Sequence, residues 1–337
     1  MAVFFRYAKD SAHTAGARID LVEGSGQALH CNGNRRLPKI KACFSIGPEA
    51  VALTFSPIGP SFCAEVAGVD FSRPVDAATF AQIVAGMDQY AVCVYRSTGL
   101  DDARHIDFSR LFGRLEHAPK LFGKNFSRFA HPELFDAGNL DASGNILVDE
   151  RRRTYNKGNA LWHTDSSFNP HRSAYSLLLA HEVPPTGGDT HFADMRAAYD
   201  ALSPELKDRI ENVIAEHWLW YSRMLAGYPE PTDAERAAKP PSRHKLVQVH
   251  PGSRRKTLYI AKHASHIVGW AVEEGRKLLN ELIEFATQPQ FVRAVAWRQP
   301  GDLVIWDNRC TMHRATPFDD TVYRRDMRRT TVFENLA

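Results

Sequence analysis

Apolar residues recur at helical spacing in several stretches of the chain. Phe80, Ile83, Val84 and Met87 share one face behind Asp76, whose carboxylate suits a helix start. A second helix is expected from Asp101 to Phe112, closed by Gly113. Ser203-Pro204 opens a third, with proline at the first helical position and Leu206, Ile210, Val213 and Ile214 on one side. A fourth runs from about Val272 to Thr287, burying Leu278, Leu279, Leu282, Ile283 and Ala286. Shorter apolar runs read as strands: 91–95, 174–180, 246–250, 257–260, 291–297, 303–306 and 325–333. Several are bounded by Pro184-Pro185, Gly187-Gly188, Pro251-Gly252 or Pro300-Gly301. Many short strands with such punctuation predict a β-sandwich or jelly roll with helices packed outside. There is no internal repeat, no G-x-G-x-x-G after a strand and no P-loop.

Residues 1–50 break this pattern. They show scattered Gly, Asn and Arg without periodicity, and are expected to form an irregular extension before a single domain over 51–337. Composition narrows the class without naming it. Of 337 residues, 44% are hydrophobic and 24% charged, as in an ordinary globular protein, and the net charge of +3 is too small to call for nucleic acid. The five cysteines are widely spaced and form no C-x-x-C pair, which argues against a disulfide framework or zinc knuckle and fits a reducing cytoplasm. The N-terminus turns charged before a secretory apolar stretch forms, and no run reaches membrane-spanning length. A cytoplasmic protein is expected, with neither membrane nor nucleic acid as a partner.

The chemistry is concentrated in His163-Thr164-Asp165 and a distant His313. On a strand, residues two apart face the same way, so His163 and Asp165 can reach one metal while His313 arrives from a neighbouring strand. Two histidines and one carboxylate leave coordination positions open, which suits non-haem Fe(II) better than a closed structural zinc site. A lone H-x-D triplet is a weak signal in a chain with 15 histidines; its surroundings strengthen it. Pro184 to Asp189 forms a tight turn with Thr190 at its exit. After His313 comes a strand carrying Arg325 and Arg329, four apart and therefore on one side, with Arg324 and Arg328 on the other. The guanidinium fork matches a carboxylate in bidentate fashion.

These motifs together resemble the Fe(II)/2-oxoglutarate dioxygenases of the taurine dioxygenase and 2,4-dichlorophenoxyacetate dioxygenase type, over about residues 53–334. The likeness is carried by Ala64-Glu65-Val66-Ala67-Gly68-Val69-Asp70, Phe112-Gly113-Arg114-Leu115-Glu116, Trp162 to Phe168, Gly187-Gly188-Asp189-Thr190, Phe192 to Tyr199, Trp306 to Ala315 and Arg325 to Arg329. The resemblance implies a double-stranded β-helix, a cupin-like jelly roll that is mainly β with flanking helices. It implies Fe(II) held by His163, Asp165 and His313, and 2-oxoglutarate as cosubstrate with its distal carboxylate on Thr190 and Arg325. Arg329 would meet an acidic group of the substrate. Counting forward from His313 points instead to Arg324 and Arg328, because the loop 315–323 is one residue longer than usual. Thr330-Thr331-Val332 fixes the register that favours Arg325 and Arg329.

Within the family the segments 161–163, 192–199 and 325–329 look closer to the aryloxyalkanoate branch. Hydroxylation beside an aryl ether oxygen gives a hemiacetal that collapses to a phenol and glyoxylate, while 2-oxoglutarate and O2 yield succinate and CO2. Ascorbate is expected to stimulate. A taurine or alkyl-sulfonate dioxygenase is the alternative; outside the class stand a non-catalytic jelly-roll binding protein and a zinc hydrolase. His117 and Asn159 are further candidates for contact with substrate, whereas His217, Tyr221 and Arg223 could shape specificity or simply pack. A homo-oligomer is expected by resemblance alone.

Overall fold

Two β-sheets face each other and a helical layer covers each outer side. The computed structural model describes residues 52–118 and 128–334; the extension expected over 1–50 lies outside them. The larger sheet has seven strands in the order Thr54–Pro57, Ala64–Ala67, Val92–Tyr95, Leu303–Asp307, Ser173–Glu182, Asp326–Phe333 and Phe135–Asp136. Its central strand, Ser173–Glu182, is antiparallel to both neighbours and buried along its first eight residues, as expected of a strand covered on both faces. The smaller sheet is Val292–Val295, Thr190–Asp194 and Thr311–Ala315, all antiparallel.

Side-chain alternation sorts the core into layers. Val92, Val94, Leu178, Val304, Trp306 and Met327 of the large sheet meet Phe192 and Val295 of the small one, forming the interior of the jelly roll. Leu177, Leu179, Leu303 and Ile305 point the other way, onto Ile83 and Met87 of the helix Ala77–Tyr90 and Ile106 and Phe108 of the helix Asp102–Arg110. Behind the small sheet, Ala193 and Met312 pack on Leu278, Leu279, Leu282 and Ile283 of the helix Val272–Ala286. The double-stranded β-helix with flanking helices is thus the fold found. No helix among the described residues is long and apolar enough to cross a membrane.

The elements depart from expectation where tertiary pairing overrides local pattern. Asp76 caps the first helix through the Thr79 amide, and Asp101 caps the second through Arg104, but the second ends at Arg110 rather than Phe112. The helix opened by Ser203 stops at Ile210; Ile214 instead begins the strand Ile214–His217, paired with Ser242–Lys245. The strand expected at 246–250 is found, shorter, as Val247–Val249, an unforeseen strand Ser242–Lys245 precedes it, and the last strand starts at Asp326 rather than Arg325. The short helices Glu150–Lys157, Leu219–Leu225 and Asp233–Ala238 carry too little apolar periodicity to be seen in advance.

Candidate active site

His313 lies in the strand Thr311–Ala315, and His163 joins it through a two-way backbone bridge: each amide donates to the other's carbonyl, at 2.9 and 2.7 Å. Asp165 does not continue a strand, contrary to the simple alternation argument; the chain turns there, and Ser166 has a φ of 56°. The turn nevertheless brings the carboxylate to both rings. His163 Nε2 is 3.8 Å from Asp165 Oδ1, and His313 Nε2 is 3.8 Å from Asp165 Oδ2. The three ligand atoms lie within 4.8 Å of one another, and all three residues are buried.

Electrostatics prepare the group for a cation. Burial pulls the His163 imidazolium down to about 4 and His313 well below its ordinary range, so both rings are neutral at neutral pH. His163 Nδ1 lies 2.7 Å from the Leu161 carbonyl, which fixes its proton there and turns the Nε2 lone pair inward. Burial opposes ionisation of Asp165, but Arg329, His313 and His163 outweigh it and bring its pKa down to about 2. Two neutral imidazoles and one carboxylate fit the facial donor set of non-haem Fe(II). A second buried group, His250, Asp307 and Cys310, is different: His250 (2.9 Å) and Arg309 (2.9 Å) already occupy both Asp307 oxygens.

The Asp165 carboxylate is held from behind by a relay. Ser176 Oγ donates to Asp165 Oδ2 at 2.7 Å, and Asn308 Nδ2 donates to Ser176 Oγ at 2.9 Å. Asn308 Oδ1 accepts from the Asp165 amide (3.1 Å) and the Trp306 indole (3.0 Å). Asn308 therefore aligns both backbone and carboxylate of one ligand. Asn308→Ala is expected to weaken metal binding about 10- to 100-fold, as changes of such outer partners do. A Co(II) titration monitored by absorbance reads this, and unchanged affinity in a folded variant would refute the relay.

The Gly187-Gly188 turn delivers Thr190 to the small sheet. Both glycines have positive φ, and a Cβ on Gly187 would stand 2.6 Å from the Pro317 carbonyl. Thr190 is buried and accepts from the Trp297 indole at 3.1 Å. Arg325 sits beside Gly188. Its Nη1 donates to the Ala137 carbonyl at 2.7 Å, its Nη2 reaches the Gly188 carbonyl only at 3.5 Å, and its buried Nε has no partner. Burial draws the Arg325 guanidinium down to about 10, with Asp189 opposing. Arg329 donates through Nη1 to Asp165 Oδ1 and stacks over Phe135 at 5.0 Å. Arg324 and Arg328 point elsewhere: the first pairs with Glu182 at 2.9 Å near the surface, the second with Asp102 (2.6 Å) and Asp326 (2.9 Å).

A solvent-open cleft of about 850 Å³ leads to the triad, lined by His163, Asp165 and Arg329 together with Phe135, Tyr155, Phe168 and Leu219. Asn159 lies on its wall; His117 does not. His117 is exposed, and its neighbours Glu116 and Ala118 line the cleft in its place. Glu116 accepts from Ser166 (2.6 Å) and Asn169 (2.7 Å), tying the segment after the Leu115–Val332 bridge to the ligand turn. Arg223, Lys239 and His263 also face the cleft. His263 packs edge-on against His163, with ring centroids 5.8 Å apart. His217 is buried below this wall, on Ser167 Oγ at 3.0 Å, and Tyr221 is absent from the lining.

Comparison with known proteins agrees with this geometry. Residues 54–331 match the family model described as taurine catabolism dioxygenase TauD, TfdA family. The chain is 42% identical over 288 residues to an alpha-ketoglutarate-dependent 2,4-dichlorophenoxyacetate dioxygenase of Cupriavidus pinatubonensis, covering 85% of this chain and 100% of that one. It is 36% identical to a (S)-phenoxypropionate/alpha-ketoglutarate-dioxygenase of Sphingobium herbicidovorans, over 81% of this chain and 92% of that one. The crystal structure of AAD-2 in complex with Mn(II) and N-oxalylglycine superposes with a TM-score of 0.81 at 42% identity, covering 84% and 98% of the two chains. The chain belongs to the taurine catabolism dioxygenase TauD, TfdA family.

Proposed function

We propose that the protein is an Fe(II)- and 2-oxoglutarate-dependent dioxygenase that cleaves aryloxyalkanoates such as 2,4-dichlorophenoxyacetate. The observation that carries the reading is the 42% identity along the whole length of a 2,4-dichlorophenoxyacetate dioxygenase, in a chain with the buried His163, Asp165 and His313 donor set. In this reading His163, Asp165 and His313 hold the iron, Thr190 and Arg325 take the distal carboxylate of 2-oxoglutarate, and Arg329 meets the acid group of the substrate. The bound iron and 2-oxoglutarate supply oxygen activation coupled to decarboxylation, giving succinate and CO2.

The chain's own part is binding, orientation and exclusion of water. Phe135, Phe168, Tyr155 and Leu219 offer an apolar wall to an aryl ring, while Arg329 marks the end where the acid lies beside Asp165. That polarity directs the carbon between carboxylate and ether oxygen toward the triad. Its hydroxylation leaves a hemiacetal, which breaks to phenol and glyoxylate without a protein base. The described cysteines, Cys63, Cys93 and Cys310, are free and buried, which supports placement in the cytoplasm. The family resemblance supports a homo-oligomer, and light scattering reads that directly.

Purified protein with Fe(II), ascorbate, O2 and 2-oxoglutarate is expected to release succinate and phenol in equal amounts from a phenoxyacetate. Turnover confined to taurine or alkyl sulfonates would move the assignment to that branch. Succinate at background with every compound would remove the substrate assignment altogether.

A further inference from the structure

Four arginines among the described residues are buried: Arg196, Arg223, Arg309 and Arg325. Two have a carboxylate in contact, Arg196 with Asp194 at 3.1 Å and Arg309 with Asp307 at 2.9 Å. Arg325 and Arg223 have none. An unpaired buried charge is costly, and a protein retains one where an anion from outside completes it. By the criterion that makes Arg325 an anion site, Arg223 is another, and Arg223 is the one that lines the cleft.

Its setting is built rather than accidental. The helix Leu219–Leu225 carries it into the wall, where its guanidinium lies 4.4 Å above the Tyr155 ring centroid. Only Nη2 has a partner, Asn159 Oδ1 at 3.3 Å; Nε and Nη1 are buried without one. Gly158 makes room for it, since a Cβ there would stand 1.7 Å from Nη1. Arg223 lines the same cleft as His163, a metal ligand, and His263. Arg329, by contrast, already spends a donor on Asp165.

We propose that Arg223 is a specificity-determining residue that binds the substrate's carboxylate together with Arg329, so that the cleft selects small organic acids by two arginines. This rests on the aryloxyalkanoate reading for the identity of the acid. The terminal Nη1/Nη2 edge, with Nη1 unpartnered and Nη2 keeping a second N–H beyond the one given to Asn159, suits a carboxylate, and the Tyr155 ring beneath holds its plane.

The test is calorimetric titration of the anaerobic protein, loaded with Fe(II) and 2-oxoglutarate, with 2,4-dichlorophenoxyacetate and with uncharged 2,4-dichlorophenoxyethanol. Arg223→Met is expected to raise the Kd of the acid about 10- to 100-fold, the loss typical of a hydrogen bond to a charged group, and to leave the alcohol and 2-oxoglutarate within about twofold. Arg223→Lys, which keeps charge without the fork, and Gly158→Ala, which keeps the fork but displaces it, are expected to fall between. Unchanged acid affinity in a folded Arg223→Met protein overturns the proposal, and so does an equal loss for the alcohol or for 2-oxoglutarate. Wild-type protein that binds the acid but releases no phenol defeats the functional reading while leaving the Arg223 comparison decisive. Wild-type protein that binds no aryloxyalkanoate overturns both.

Discussion

Asp165→Asn is expected to bring 2-oxoglutarate turnover to background and to weaken Fe(II) or Co(II) binding by more than the roughly 100-fold that outer partners cost. Asp165 is the anion of the three ligands; His163 and His313 are kept neutral by burial. Without it a divalent cation would rest on two uncharged rings beside the Arg329 guanidinium, which donates to the same carboxylate. An amide also has one oxygen to offer where Ser176, Arg329 and a metal all need acceptors. The loss is therefore electrostatic and geometric together. Metal content by elemental analysis, a Co(II) titration and single-turnover succinate release read it, with thermal unfolding of the metal-free protein as a check on folding. A folded Asp165→Asn protein that retained both metal and turnover would show that the iron lies elsewhere.

What could be read in advance was local or carried by chemistry. Asp76 and Asp101 stand directly before apolar periodicity, so both helix starts were visible, and the capping bonds follow. His163 and Asp165 are legible by residue type and spacing, but strand alternation is not what brings them together: His163 is in a bridge, and Asp165 enters through a turn. The apolar and basic text of 325–333 located the last strand but hid an irregularity. The register shifts between Asp326 and Met327, so simple alternation from Arg325 to Arg329 does not hold across that point. Arg325 is turned inward by its loop, where Asn139 Oδ1 accepts its amide at 2.7 Å. Arg223, Lys239 and His263 could not be ranked from sequence because they come from three separate segments, and only the folded chain brings them to one wall. His117 shows the converse: a chemically attractive side chain one position away from Glu116, the residue that faces inward.

The arginine register carries the second large effect. Arg325→Met is expected to raise KM for 2-oxoglutarate by about 100-fold or more, because truncating one member of a buried charged pair typically costs about 2–5 kcal/mol. Arg324→Met, one position earlier, is expected to leave that KM unchanged. The two side chains differ in what they touch rather than in type. Arg324 pairs with Glu182 where both are about half exposed, an arrangement worth little in stability or binding. Arg325 is buried, meets no carboxylate, and keeps an unpartnered Nε next to the Gly188 turn that leads to Thr190. A dicarboxylate with its distal end there would satisfy the guanidinium; without one the charge stays buried at a cost. The comparison is made by 2-oxoglutarate titration at saturating metal, using both KM and the equilibrium Kd, so that a change in the chemical step is not mistaken for a change in binding. Should Arg324→Met carry the loss and Arg325→Met none, the register counted forward from His313 is the correct one, and the cosubstrate's carboxylate lies on the other side of the strand.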